Sequence, residues 1–423
     1  MTFGISRDEG KFEWSGTSLS SIFAQRENLY SPRMWRLIFD IIRFNQFATD
    51  ILTDDDESEN DPGISVGEQT LKPPSESVGH YLDREGYSEA FRNDYLIPMT
   101  AAVWSTNADK CSLEFPIITL VRFMWNHHLL STISTRPDWM TIKGCSQRYI
   151  DAVMQDFPRD RIHLKTKVSS LTPDKRGQVT LTADGSDEVY DHVILATHGD
   201  QALDILQPIA TKEEIDILSG FKTSKNVAVL HSDLSLMPQR RVAWSSWNYI
   251  TESPFPKFKS ANVSKVCLTY WMNLLQHIPE KEFGPILVTL NPLTPPDPQL
   301  SQGIWEYSHP IYNSVAIKSQ KLLPRIQNTR AISYCGAWTK YGFHEDGFSS
   351  GLSAAINHLG AELPFEFVDS TFSRGRRPTL TVKNHLARIV ILLIQLAIVV
   401  GSMVLTKSYN LLDRQIARRR KVE

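Results

Sequence analysis

Apolar positions fall at helical spacing early in the chain. In "SPRMWRLIFDIIRFNQFATDIL" (Ser31 to Leu52), Trp35, Ile38, Ile41, Ile42, Phe44 and Phe47 recur with a helix period. Ser31 followed by Pro32 is a helix start. The acidic run Thr53 to Gly63 breaks the pattern and reads as a solvated loop. From Tyr81 to Leu130 the period is helical again, interrupted at Pro98. Asp160 to Leu206 changes period: "RIHLKTKVSSLTP", "QVTLTADG" and "YDHVILATHG" predict three short strands separated by turns. "TKEEIDILSGF" predicts a helix with Thr211 and Glu214 as a capping box. Strands then follow to about Asn291: "NVAVLHSD", "RVAWSSWNYI", "SKVCLTYWMN" and "PILVTLNP". A strand at Ala331 and a helix beyond Gly351 close the body, and no internal repeat is visible.

The far end of the chain is different. "IVILLIQLAIVVGSMVL" (Ile389 to Leu405) is 17 residues without a charge. As a helix it spans roughly 26 Å, somewhat short of a ~30 Å hydrocarbon core unless Leu386 and Ala387 extend it. Apolar residues on all sides favour a membrane span, and a terminal helix buried against the body of a soluble protein is the other reading. Basic residues flank both ends (Arg374, Arg376, Arg377 and Lys383 before; Arg418 to Lys421 after), so the charge-bias rule does not orient it. The amino terminus lacks the apolar core of a signal peptide, which makes a tail anchor on a cytosolic body the simplest arrangement, and a short span suits a thin bilayer such as the endoplasmic reticulum.

Composition adds bounds. With 423 residues the chain is long enough for two packed units. A net charge of −2 gives no basic field for nucleic acid, which is not expected as a partner. Cys111, Cys145, Cys267 and Cys335 form no CxxC pair, so neither a disulfide framework nor a metal centre is expected.

Two segments carry candidate chemistry. "DHVILATHGD" is a β-branched strand ending on small Ala196 and Thr197, either a ligand-docking strand end or a plain core strand. In the second, Gly336 ends a strand and "GFHEDGFSSG" places Gly342, Gly347 and Gly351 ahead of the helix "LSAAINHLG". Glycines permit close backbone approach, and a helix amino terminus offers N–H groups to an anion. A tight turn leading into a small-residue helix face is the alternative.

Together, in this order and separation, these motifs resemble the flavin-containing amine oxidase superfamily, and within it an amine-oxidase-like FAD/NAD-binding branch of bacteria and fungi. "YLIPMTAAVWS", "RPDWMTIKGCSQRYI", "ATHGDQAL", "WSSWNY", "YWMNLLQ", "VTLNP" and "GFHEDG" carry the resemblance, from about Phe3 to Pro364. It implies FAD as cofactor. Val168 would meet the adenine, Ala196 and Thr197 the ADP moiety, and Gly336 and Ala337 the pyrophosphate and ribityl chain. Phe343, His344 and Glu345 would lie at the flavin ring, with Gly342 and Gly351 bounding that motif. On the facing side Trp244, Trp247, Asn248, Trp271 and Asn273 would line a substrate pocket or simply pack the sheet. No catalytic residue follows from the resemblance, and His198 and Cys145 receive no role. Cys145 departs from the pattern, standing where relatives tend to have the second glycine of a Gly-Gly-Ser turn.

A second departure is larger. The superfamily begins with a strand and GxGxxG on a helix start, and the first hundred residues hold no GxG. The expectation is therefore an incomplete cofactor unit that binds FAD poorly and leaves strands without neighbours, the missing motif lying upstream of Met1 or lost. The implied fold is α/β: an incomplete FAD-binding Rossmann-like domain interleaved with a mixed-sheet α+β substrate domain, plus a carboxy-terminal transmembrane helix. The divisions run 1–134 (substrate domain, helical part, with the acidic loop 53–63), 135–210 (FAD-binding), 211–325 (substrate-domain sheet), 326–362 (FAD-binding), 363–385 (linker), 386–406 (transmembrane helix) and 407–423 (basic tail). The implied function is an FAD-dependent oxidoreductase acting on an apolar or lipid-like small molecule. Tryptophans on the facing strands, a membrane tail, and Phe343 in place of the tyrosine of monoamine oxidases point to such a substrate. A catalytically inactive, membrane-tethered binding or scaffold protein is the alternative.

Overall fold

The computed structural model describes residues 2–52, 76–104, 111–130, 137–252, 267–368, 374 and 378–420. The acidic run 53–63 and part of the segment 363–385 lie outside them. In chain order the strands are β1 (Phe3–Arg7), β2 (Phe12–Ser15), β3 (Val168–Pro173), β4 (Val179–Ala183), β5 (Ser186–Tyr190), β6 (Val193–Leu195), β7 (Thr223–His231), β8 (Trp247–Thr251), β9 (Cys267–Trp271), β10 (Leu287–Leu290), β11 (Ser301–Pro310) and β12 (Ile332–Tyr334).

The first core lies on a seven-stranded sheet, order β11-β7-β10-β9-β8-β1-β2. Among its pairings β1 and β8 run parallel and the rest antiparallel. One face presents Ile5, Ala228, Tyr249, Leu268 and Leu290 to a helical layer that contributes Leu37, Phe44, Leu82, Phe91, Leu120 and Met124. The helix Pro32–Phe47 starts as expected: Ser31 Oγ accepts from the Met34 N–H, and Pro32 holds the first position. Its buried stripe is Met34, Leu37 and Phe44; Trp35 is half exposed and donates to the Leu29 carbonyl at 2.8 Å. The expected break at Pro98 is a π-helical turn, Arg92–Leu96, placed just before the helix Ile97–Trp104. A wide turn of this kind lets the chain re-aim before a proline that lacks an N–H.

The second core joins Leu171, Val179, Leu195, Leu206, Leu218, Ile332, Tyr334 and Trp338. Here β3-β4-β5 form an antiparallel meander, and β6 and β12 form a parallel pair. The run "RIHLKTK" is not a strand; pairing begins at Val168, and "YDHVILATHG" divides between β5 and β6. Thr211 and Glu214 form the expected capping box, and Glu214 does more than cap. It also pairs with Arg330 and accepts from the Tyr334 hydroxyl at 3.1 Å, tying the helix Lys212–Leu218 to β12. Among the described residues β12 has no strand neighbour besides β6; at its outer edge the Gln327 side-chain amide accepts from Tyr334 N–H at 2.8 Å and donates to its C=O at 2.7 Å. On the other strand, bonds from Val193 and to Leu195 face β12, so the Ile194 backbone groups point away from it.

The helix Val382–Arg420 leaves the body. Its stretch from Val382 to Val404 is long and apolar enough to cross a membrane and is almost wholly exposed, Ile391 being buried. The reading of this helix as one packed on its own body is therefore not what the structure shows. Its base is held: Arg388 reaches Asp50 at 2.7 Å and the Gln46 carbonyl, and lies over the Phe47 ring at 4.9 Å.

Candidate functional site

The two segments that carry the sequence motifs end side by side. In the parallel pair Leu195 opposes Tyr334, so both strands deliver their carboxyl ends to one edge. Past those ends the Trp338 indole N–H donates to the Thr197 carbonyl at 2.8 Å, and Trp338 is buried edge-on against Phe221 at 4.4 Å. Gly336 makes the turn possible: its φ is +144°, and a Cβ there would stand 2.5 Å from the Trp338 nitrogen. Its N–H donates to Ser350 Oγ at 2.8 Å, fixing the turn to the helix His344–Leu359. A Cβ at Gly347 of that helix would meet Ala337 at 3.7 Å, ordinary contact, so helix and turn lie close there without requiring the glycine.

At the start of the same helix the Phe343 N–H donates to Asp346 at 3.0 Å. His344 and Glu345 are exposed, and Tyr149 meets the His344 ring edge-on at 5.2 Å. Gly342 has φ +92° beneath the Tyr312 hydroxyl, where a Cβ would sit 2.5 Å from that oxygen. Gly351 faces open space, Val168 is half-buried at the start of the meander, and Ala196 is exposed at the end of β6. Exposed strand ends, a positive-φ glycine turn and a helix start together fit one side of a flat, anionic nucleotide cofactor.

Phe343 also belongs to an aromatic cluster. Its ring stacks on Phe123 at 4.9 Å with the planes 16° apart, and Trp104 lies 4.8 Å from Phe123 and 6.5 Å from Phe343. The Trp104 indole donates to the Tyr341 carbonyl at 3.0 Å. His127 completes it, 4.1 Å from the Phe123 ring and 5.6 Å from Phe343, with Nδ1 at 2.9 Å from the Phe123 carbonyl. Burial holds the His127 pKa below its ordinary value, and the Phe123 carbonyl, which can only accept, makes Nδ1–H the donor. Of this group the sequence motifs give a role only to Phe343; Trp104 lies within the motif "YLIPMTAAVWS", and Phe123 and His127 outside the motifs, all on the helical layer more than two hundred residues away.

Of the five residues assigned to a facing pocket, Trp247, Asn248 and Trp271 lie on strands and divide between the two faces of the sheet, whereas Trp244 follows a 3-10 turn and Asn273 lies in the short helix Met272–Leu275. Trp247 packs edge-on with Tyr270 at 5.8 Å under the helical layer. Asn248 and Trp271 alternate with core-facing neighbours and point to the opposite face. Asn248 is fully buried, accepts from the Ser245 N–H and donates to the carbonyls of Ser245 and Thr269. Asn273 is bound likewise to the Gly284 carbonyl and the Ile286 N–H. Trp244 meets Trp271 edge-on at 5.3 Å and donates to the Pro238 carbonyl. These two amides hold turns and strands together.

Residues 28–231 match the model of the family described as flavin containing amine oxidoreductase. Over that segment the chain is similar to the flavin-containing amine oxidase superfamily. A triple mutant of putrescine oxidase shares the fold, with a TM-score of 0.53, 12% identity, and 85% of this chain and 81% of that chain covered. A fatty acid isomerase from P. acnes that produces CLA gives a TM-score of 0.50 at 12% identity over 84% and 80% of the two chains. A putative protoporphyrinogen oxidase from Exiguobacterium sp. 255-15 gives a TM-score of 0.50 at 12% identity over 85% and 81%. No curated protein matches the chain by sequence.

Proposed function

We propose that the protein is an FAD-dependent oxidoreductase that acts on an apolar, lipid-like small molecule and works at a membrane surface. The observation that carries the reading is the meeting of the two motif-bearing strand ends at Thr197 and Trp338. Around them, Ala196, Gly336 and Ala337 would contact the nucleotide, with Val168 toward the adenine and Phe343, His344 and Glu345 toward the ring. The cofactor supplies the redox chemistry when bound. This chain's residues position it and exclude water: Phe343, Phe123 and Trp104 form a dry aromatic wall that suits a hydrocarbon better than a hydrated amine. Trp247 lies on the same side of the sheet as that wall and is the facing residue retained for substrate contact.

The terminal helix supports the membrane part of the reading, because its apolar length finds no cover on the body while its base is keyed to Gln46 and Asp50. A fatty acid isomerase shares the fold, which is in keeping with a lipid-like substrate. Titrating the full chain in mild detergent with FAD, and following flavin fluorescence, tests the reading. Saturable quenching that Gly336→Val abolishes supports it; quenching that never saturates refutes it.

A further inference from the structure

A chain of three side chains crosses the β10–β7–β11 region of the sheet on the face that carries the aromatic cluster. It begins at a group whose polarity is certain, the backbone N–H of Val227, which donates to Asn291 Oδ1 at 3.0 Å. That fixes the Asn291 amide, so its Nδ2 is the donor to Asn226 Oδ1 at 2.7 Å. Asn226 is thereby fixed in turn, and its Nδ2 faces His309 Nδ1 at 2.8 Å. An amide NH2 cannot accept a hydrogen bond, so His309 Nδ1 must be the acceptor. The ring proton then resides on Nε2, which makes no hydrogen bond among the described residues. Both asparagines are buried, and Asn291 holds a φ of +45° to reach its place.

The position of the relay matters as much as its polarity. Asn226 lies two residues from Ala228 and so on the same face of β7, the face whose core includes Trp104 and Tyr312, with Phe343 packed against it. His309 closes β11, three residues before Tyr312, whose ring approaches Trp104 at 6.5 Å. Across from it stands His198, immediately after Thr197 at the end of β6, with Nδ1 buried and unpartnered. Burial, and then repulsion from His198, lower the His309 pKa, in agreement with the polarity that the two amides impose.

We propose that Asn291 and Asn226 lock His309 as an Nε2–H donor at the junction of the sheet and the β6 end, and that this N–H receives a carboxylate or carbonyl oxygen of the bound apolar molecule. The relay makes His309 a specificity-determining residue: a fixed N–H donates to an oxygen and finds no acceptor on an ammonium group. The inference rests on the apolar-substrate reading above and adds the polar head that such a substrate carries.

Two measurements test it. In 15N-histidine-labelled full chain in detergent, the His309 signals should show the Nε2–H tautomer, with Asn226→Leu releasing it to a mixture; a proton on Nδ1 in the wild type overturns the relay. Binding of the chain-matched probes decanoate and decylamine, followed by tryptophan fluorescence, should favour decanoate. His309→Phe should reduce that preference by roughly tenfold, as loss of a hydrogen bond to a charged group does, while His309→Gln, which keeps an N–H donor, should retain most of it. An unchanged preference in His309→Phe, or a wild type that binds neither probe, overturns the donor's role. The FAD titration requires neither probe, so it judges the oxidoreductase reading separately.

Discussion

The indole of Trp338 donates to the carbonyl of Thr197 across 2.8 Å and 141 residues of sequence, joining the two strand ends from which the functional reading is built. Trp338→Phe keeps the ring against Phe221 and removes only the donor. Leaving a buried carbonyl without its partner costs about 1–3 kcal/mol. The expected result is that loss in urea denaturation together with weaker FAD quenching; unchanged stability and unchanged quenching would show that the contact joins nothing of consequence.

Gly336 is the position where backbone conformation matters most. Gly336→Ala must place a side chain at φ +144° and 2.5 Å from the Trp338 nitrogen. Left-handed backbone alone costs roughly 1–2 kcal/mol, and the clash adds to it. Gly351→Ala, facing open space within a helix, is expected to be neutral or slightly stabilising. Thermal melts should therefore place Gly336→Ala below the wild type and Gly351→Ala at or slightly above it.

Acid should loosen the second core first. Burial pushes the Glu214 carboxyl up, but the bonds from Arg330 and Thr211 outweigh it, so its pKa falls below the ordinary 4.5. A depressed carboxyl contributes stability that is complete above pH 4.5 and disappears as pH falls through the folded value. Glu214→Gln should lower stability at neutral pH and flatten the acid limb of the stability profile. A limb of wild-type steepness in the variant would assign the acid sensitivity to another group.

The terminal helix makes a separate prediction. The full chain should remain with the membrane pellet through a high-salt wash and come off with detergent, while the chain without residues 382–420 should be soluble. Arg388→Ala, which cuts the tie to Asp50 and Gln46, should leave pelleting unchanged and make the base of the helix more accessible to protease. Release of the full chain by salt alone would contradict the membrane reading.

Local features were legible in the sequence because their causes are local. The Ser31–Pro32 helix start and the Thr211–Glu214 box are fixed by residues within one turn, and both stand as expected. The strand β11 escaped notice because it is an edge: Ile304, Trp305 and Tyr307 are exposed among Gln302, Glu306 and Ser308, so no alternation marks it. Which face of a strand is covered by which layer is also not local. Trp247 and Asn248 are neighbours in sequence, yet the pleat sends them to opposite sides, and the helical layer that decides between them lies far away in the chain. For the same reason the meeting of Trp104, Phe123 and His127 with Phe343 is not written in any one segment, and the Asn291–Asn226–His309 relay, whose members are 65 and 83 residues apart, has no sequence signature.

The most direct test of the central claim is the FAD titration of the full chain in detergent, with Trp338→Phe and Gly336→Val in parallel. Saturable quenching of flavin fluorescence in the wild type, weakened in the first variant and absent in the second, is the predicted result. Quenching that fails to saturate, or that both variants reproduce unchanged, would mean that the joined ends of β6 and β12 do not hold a flavin.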